Sequence, residues 1–345
     1  VTTVPHYLGI EIGGTKLQVG VGPGDGTLAA LWRGRVEPAE GADGIRRQLL
    51  EAVPTLLAQA GLVPGTLHGC GIGFGGPVDD RSKTILKSHQ IDGWEDFPLA
   101  DWVGDLVSVP AVLGNDADVA GLAEALYGAG KGLSPIFYVT IGSGIGGGLI
   151  LDGQIYRGTG KGAAEIGHLQ ITGPAEGSDW WDRERGQIEV ETGTLESFAS
   201  GWALERRLRE TAGQDTSACA ALLALVDGDP GRLTLRHAAV AARRGDPVAT
   251  ALFDLLVSAL ATGLNRVVTL LCPRRVVVGG GVALLGEDLL FGPLRAALRD
   301  EPPDLAIGWE PPFEPFLGET DIVPAVLGEE MVVHGAIALA CQRLG

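Results

Sequence analysis

A short apolar run, a glycine-rich turn and a second short apolar run occur twice in this chain, as GIEIGGTKLQVGVG from Gly9 and as YVTIGSGIGGGLIL from Tyr138. Each stretch reads as a strand, a tight turn and a second strand. The repetition predicts a duplicated core, although two ordinary glycine-turn hairpins produce the same pattern. A turn of this kind can also do chemistry: consecutive backbone N–H groups and a Thr or Ser hydroxyl can wrap a polyphosphate. Gly13, Gly14 and Thr15 would form one wall of such a site, and Gly142, Ser143 and Gly144 the other.

Two commoner phosphate motifs are excluded by context. Gly142, Gly144 and Gly147 satisfy G-x-G-x-x-G after a strand-like IFYVTI, but the following GLILDGQIY is a strand pattern, whereas a Rossmann turn opens a helix. No stretch satisfies G-x-x-x-x-G-K-[ST]: Lys131 and Lys161 are each followed by glycine.

The 345 residues, 45 % hydrophobic, suffice for two domains with separate cores. With 43 acidic against 26 basic residues, the net charge of −17 argues against affinity resting on nucleic-acid phosphates or an anionic membrane. Cys70, Cys219, Cys272 and Cys341 lie far apart, so neither a disulfide framework nor a zinc knuckle is expected. The opening VTTVPHYLGIEIG carries no basic leader, and the apolar stretch Leu252 to Cys272 holds Asp254, Asn265 and Arg266. A cytoplasmic protein is therefore expected.

Strand-like runs YLGIEI, KLQVGV, TLAALWRGRV, HGCGIGF and PAVLG surround one helical pattern from Gly44 to Ala60. A second set begins at IFYVTIG, continues with helical patterns at Leu195–Glu210 and Val248–Leu271, and ends with RRVVVGGG. The expected organisation is an α/β lobe over 1–117, a second over 118–325, and a closing helix over 326–345 that returns to the first. EPPFEPF, from Glu310 to Phe316, reads as a connecting loop. The cleft between two such lobes is the expected ligand site.

At this point the chain resembles the ROK family, which contains repressors and sugar kinases and lies within the actin, Hsp70 and sugar-kinase superfamily. GIEIGGTK at Gly9 is similar to that family's first phosphate loop, and GFGGPVD at Gly73 to its sugar-approaching glycine turn. GNDADVAGLAEALYGAG at Gly114 resembles its catalytic segment, and VVVGGGVALLGEDLL at Val276 its adenosine-side turn. IGSGIGGGLILDGQIYRGTGKGAAEIGH from Ile141 is the strongest match. The resemblance implies a two-lobed, actin-like (ribonuclease H-like) α/β fold. It implies ATP-dependent, magnesium-assisted phosphorylation of a hexose or hexose-like sugar at its 6-hydroxyl. Gly13, Gly14, Thr15, Lys16, Gly142, Ser143, Gly144, Gly279, Gly280 and Gly281 are then the nucleotide residues. Sugar and nucleotide are the expected ligands, with no nucleic acid or membrane partner; a homodimer is the candidate assembly.

Asp116 falls where a strand ends and a helix begins, a position that equally suits a helix cap. The resemblance implies instead the base that accepts the hydroxyl proton, with Asn115 as a sugar partner. It further implies sugar contacts from Gly75, Gly76, Glu165, His168 and Glu196, the last of which also suits a capping role after Thr194.

The chain departs from the family pattern in three places. Glu11 stands where the superfamily carries Asp at a magnesium contact, and His89 and Gln90 occupy a position that holds an Asn sugar contact in many glucokinases. The zinc cluster of many members is missing: LQITGPAEGSDWWDRERGQIEVETGTLES after His168 has no cysteine, although Asp179, Asp182, Glu184, Glu189 and Glu191 offer oxygen ligands. No zinc is expected, and burial of Trp180 and Trp181 is the expected means of fixing that loop. Two other functions compete with the kinase. A repressor would need a DNA-binding segment before Gly9, where the sequence leaves no room. A catalytically inactive sugar-binding or regulatory protein is the stronger alternative.

Overall fold

A computed structural model describes residues 4–63, 65–79, 81–88, 91–159, 162–175, 177–178, 180–181, 189–299 and 320–345. His89, Gln90, Asp179, Asp182, Glu184 and the Glu310–Phe316 loop lie outside these residues. The chain divides into two compact units. One comprises Val1–Tyr138, Gly147–Ala164 and Ala325–Gly345, and the other Val139–Gly146 and Glu165–Pro324.

The first unit begins with β1 (Tyr7–Ile12), β2 (Lys16–Gly22) and β3 (Ala30–Arg35), followed by α1 (Gly41–Gln59). Next come β4 (Gly69–Phe74), the short pair β5 (Val78–Asp79) and β6 (Thr84–Ile85), α2 (Leu99–Val107), β7 (Ala111–Asn115) and α3 (Asp116–Tyr127). The sheet order is β3-β2-β1-β4-β7; β1, β4 and β7 run parallel, while β2 is antiparallel to both its neighbours.

Period-two alternation gives β1 two different faces. Leu8, Ile10 and Ile12 join α1 and α2 residues such as Ile45, Leu49, Leu99 and Val103 in one apolar core. Tyr7, Gly9 and Glu11 point the other way, and Gly9 stands in register with Gly20 on β2 and Gly71 on β4. These glycines let the closing helix lie directly on the sheet. An added Cβ at Gly71 would stand 1.8 Å from the Ala336 carbonyl oxygen, and one at Gly9 2.6 Å from that of Val333. Many of the glycines thus serve helix-on-sheet packing as well as turns.

After α3 come β8 (Ile136–Ile141), β9 (Ile145–Leu151) and β10 (Gln154–Ile155). The β9–β10 turn is Asp152-Gly153 with φ of 50° and 73°, the left-handed pair that favours such dipeptides. A hairpin of β11 (Gln170–Pro174) and β12 (Val190–Thr194) leads to α4 (Leu195–Ala199), α5 (Gly201–Gln214), α6 (Ala220–Leu223) and α7 (Leu235–Ala242). The chain then runs through α8 (Pro247–Leu271), β13 (Arg275–Gly279), α9 (Gly292–Ala297), β14 (Asp321–Pro324) and α10 (Met331–Leu344). The second large sheet has the order β10-β9-β8-β13-β14.

The single helix expected from Leu195 to Glu210 is two helices. Ser200 is extended at φ −71°, ψ 154°, and its side chain caps the Ala203 amide, so α5 starts anew there. Helix α8 has the length and apolar content of a membrane span, but its apolar residues are mostly buried against α4, α7 and α9. Asp246 caps it by accepting the Ala249 amide, and Pro247 takes the first helical position, where no N–H is needed. Helix α10 packs on β1, β4 and α3. Fully buried Glu124 on α3 accepts the amides of Val326 and Leu327, both at 2.9 Å, and so fixes the segment that leads into α10.

Candidate active site

In the first unit the parallel register aligns Ile12, Phe74 and Asn115, so three loops leave side by side from the carboxyl ends of β1, β4 and β7. That is where ligands bind in open α/β sheets. Gly13 to Lys16 form the first loop, closed by the Gly13 amide on the Lys16 carbonyl at 2.9 Å. The second loop carries Gly75 and Gly76; the Gly75 amide donates to the Ile12 carbonyl at 2.8 Å. A Cβ at Gly75 would lie 3.4 Å from both Gly13 Cα and Asp116 Oδ2, so the three loops meet in a small space.

Asn115 is the residue that caps α3. Its Oδ1 accepts the Ala117 and Asp118 amides at 2.9 and 3.4 Å, and its Nδ2 donates to the Gly76 carbonyl at 3.1 Å. Asp116 is the first residue of the helix, where the dipole favours a carboxylate. Asn115 therefore spends most of its hydrogen-bonding capacity on the protein.

Glu11 lies on the glycine-lined face of the sheet, opposite Gln18. Both side chains are buried, and Glu11 Oε2 and Gln18 Oε1 have no hydrogen-bond partner among the described residues. Burial pushes the Glu11 carboxyl up to about 7; Lys16 opposes the rise, while Asp116, Glu329 and Glu330 add to it.

In the second unit Gly142, Ser143 and Gly144 form a tight turn, with the Gly142 amide on the Gly144 carbonyl at 2.9 Å and the Gly201 amide on the Gly142 carbonyl at 2.8 Å. Glu196 braces this turn: its Oε2 accepts the Ile145 amide at 2.7 Å, and an added Cβ at Gly144 would lie 2.5 Å from that oxygen. The cap of α4 is Thr194, which accepts the Ser197 amide.

Glu165 and His168 flank a 3₁₀ turn over Ile166–His168, and the His168 amide donates to the Glu165 carbonyl at 3.1 Å. Gly167 in that turn sits against β9, where a Cβ would meet the Ile145 carbonyl oxygen at 2.1 Å. Desolvation raises the Glu165 carboxyl above its ordinary range; His168 pulls it back and Glu196 pushes it further. Both side chains thus act on the Glu165 carboxyl.

Gly142, Ser143 and Gly281 line a cavity of about 850 Å³ together with Trp202, Val240 and Leu284. Trp202 is 60 % exposed and Leu284 83 %, an apolar wall open to solvent. Gly279 ends β13, and Gly280 turns the chain with φ of 85°, passing so close to Ile141 that a Cβ would stand 2.4 Å from its carbonyl oxygen. The size and lining suit a flat aromatic ligand. Sequence reasoning missed Trp202, Val240 and Leu284; an aromatic residue directly after the Gly201 contact is the only local signal for the first.

The ROK family model matches residues 7–343. A glucokinase of Streptomyces coelicolor is 31% identical over 335 residues, covering 96% of each chain, and one of Thermotoga maritima is 29% identical, covering 98% of each. Among solved structures, a ROK family glucokinase from Streptomyces griseus in complex with glucose and AMPPNP is 33% identical with a TM-score of 0.72, covering 98% of this chain and 99% of that one. A ROK hexokinase from Thermus thermophilus is 30% identical with a TM-score of 0.72 and covers 98% of both chains.

Proposed function

The chain belongs to the ROK family and is an ATP-dependent sugar kinase, and we propose that it phosphorylates the 6-hydroxyl of a hexose or hexose-like sugar with Asp116 as general base. The observation that carries this reading is the division of labour at the start of α3. Asn115 Oδ1 accepts the Ala117 and Asp118 amides, while Asp116, whose Oδ1 also accepts the Ala117 amide at 2.8 Å, turns its Oδ2 toward Gly75 at the ends of the parallel strands.

Phosphoryl transfer to an alcohol demands that charge be neutralised and the hydroxyl proton accepted as the new O–P bond forms. Gly13, Gly14, Thr15 and Lys16, with Gly142, Ser143 and Gly144, supply amides, hydroxyls and a cation for the phosphates. Glu165, His168 and Glu196 of the second unit, and Gly75, Gly76 and Asn115 of the first, are the residues assigned to the sugar by the family resemblance. Gly279, Gly280, Gly281 and the Trp202 cavity take the adenosine. A magnesium ion fits the first unit because the buried Glu11 Oε2 has no partner among the described residues; Glu11 would hold it, directly or through water. The ion would neutralise phosphate charge that this acidic protein has few cations to offset.

The second reading, an inactive sugar-binding or regulatory protein, draws on Glu11 replacing the shorter Asp at that contact. A coupled ADP-release screen over glucose, mannose, fructose, their N-acetyl amines, other amino sugars and cyclitols separates the two. Magnesium-dependent turnover with at least one hexose supports the kinase; nucleotide and sugar binding without turnover on any of them supports the inactive protein.

A further inference from the structure

Many members of this family use a zinc cluster after the histidine that corresponds to His168, and the stretch of this chain from Leu169 to Ser197 has no cysteine to build one. Among the described residues no three or more His, Cys, Asp and Glu side chains gather into a metal-binding cluster, and the first cysteine after His168 is the fully buried Cys219 before α6. The β11–β12 hairpin nevertheless matters to the site, because it joins His168 to Glu196. Gln170 pairs with Thr194, and the Leu195 amide donates to the Leu169 carbonyl at 2.8 Å. That pairing sets the spacing of those two side chains, and whatever holds the hairpin sets where the pair stands.

The structure places a cation and an indole there. Arg207 on α5 is 7 % exposed and donates from Nη2 to the Pro174 carbonyl at 3.0 Å and from Nη1 to the Ala175 carbonyl at 3.4 Å. Its guanidinium carbon lies 5.8 Å from the ring centre of Trp180, within cation–π range. Trp180 is 2 % exposed, and its Nε1 donates to Thr211 Oγ1, also on α5, at 3.3 Å. The other end of β11 is fastened by Arg266 of α8, which donates to the Gln170 carbonyl. A planar guanidinium suits two neighbouring carbonyls and an aromatic face at once, which an ammonium does not.

We propose that Arg207 and Trp180 form a metal-free clasp that holds the β11–β12 hairpin and thereby positions His168 and Glu196 for the sugar. The two are positioning residues; they touch the hairpin and α5, and the effect on the sugar passes through the hairpin. The proposal rests on the sugar-binding role given above to His168, and its test keeps the two apart.

The test uses the full chain with Arg207→Lys, Trp180→Phe and, as a control, His168→Ala. Hydrogen exchange is read on the amides of Gln170–Pro174 and Val190–Thr194, and sugar and AMPPNP affinities are read by calorimetry. Arg207→Lys should speed exchange in the hairpin while leaving β1 and β4 protected, and weaken sugar binding about tenfold with AMPPNP affinity within twofold of wild type. Trp180→Phe keeps an aromatic face but loses the bond to Thr211 and part of the buried ring area under Arg207, so its effects should run the same way. Dialysis against a chelator should leave hairpin protection unchanged. Unchanged exchange in Arg207→Lys, or protection lost to the chelator and restored by zinc, would overturn the clasp. Faster exchange with unchanged sugar affinity, where His168→Ala does weaken it, would overturn the positioning role. If His168→Ala leaves sugar affinity intact, the sugar-site reading fails by itself, and exchange still decides the clasp.

Discussion

Asn115 Oδ1 accepts the Ala117 and Asp118 amides that begin α3, and Asp116 beside it is thereby the first helical residue, with Oδ2 toward Gly75. A strand that ends in Asn-Asp can use either side chain as the cap. Asn is the better choice here, because its Nδ2 also reaches the Gly76 carbonyl and ties β7 to the neighbouring loop. Asn115→Ala should therefore act in two ways. Loss of the cap and of this tie should destabilise the protein by about 1–2 kcal/mol, and the loosened Gly75–Gly76 turn should raise KM for the sugar. Denaturant unfolding alongside steady-state kinetics checks both; unchanged stability would remove the capping argument.

The glycine face of the first sheet makes a sharper prediction about folding. Gly71→Ala would drive a methyl to 1.8 Å from a backbone oxygen of α10, which cannot yield without moving the helix. The variant should lose several kcal/mol or fail to accumulate as folded protein. Gly213→Ala, near the end of α5 with nothing within 4 Å of the new carbon, should be neutral or stabilise by about 0.5–1 kcal/mol. Thermal melts of the two variants side by side test this, and similar melting points would contradict the packing argument.

Glu11 links stability to pH. Its folded-state pKa of about 7 lies above its ordinary 4.5, so the folded protein holds a proton there that the unfolded chain has released. That contribution is fully present below about pH 4.5 and is lost as pH rises through about 7, a difference on the order of 3 kcal/mol. Lys16, Asp116, Glu329 and Glu330 are the charged groups that act on it. In the absence of nucleotide and metal, Glu11→Gln should flatten the decline in stability between pH 5 and pH 8. Parallel unfolding profiles for variant and wild type would show that Glu11 titrates normally.

Trp202 offers an exposed indole to the cavity beside Ser143, backed by the Arg206 guanidinium carbon 5.1 Å from its ring centre. Base stacking on an aromatic side chain is worth about 1–3 kcal/mol. Trp202→Ala should raise KM for ATP roughly tenfold or more while leaving KM for the sugar unchanged. Equal changes in both constants would mean that the indole does not serve the nucleotide alone.

Much of this architecture was legible in the residue pattern because it rests on local chemistry. The two glycine-turn hairpins and the long apolar helix that ends at Leu271 each carry their own signal in neighbouring residues, whereas the Asp152-Gly153 turn interrupts what reads as one strand, GLILDGQIY. The break at Ser200 was not legible, because WALERR continues the helical pattern across a residue that acts as a cap. Nor were the bracing of Ile145 by Glu196, the clasp of Arg207 on Pro174, and the gathering of Trp202 and Leu284 around one cavity. Those pairs lie far apart in sequence, and only the packing of helices from separate segments brings them together. The in-strand glycines read as turn and ligand signals, whereas Gly9, Gly20 and Gly71 answer to a helix at the far end of the chain.

The central claim is that Asp116 accepts the sugar hydroxyl proton, and the turnover of Asp116→Asn tests it most directly. Asparagine keeps the size and hydrogen bonding of the side chain and removes the proton acceptor. With whichever hexose the wild-type protein phosphorylates fastest, the variant should retain sugar and nucleotide affinity while kcat falls by roughly 10²–10⁴-fold. A kcat near the wild-type value would contradict the assignment.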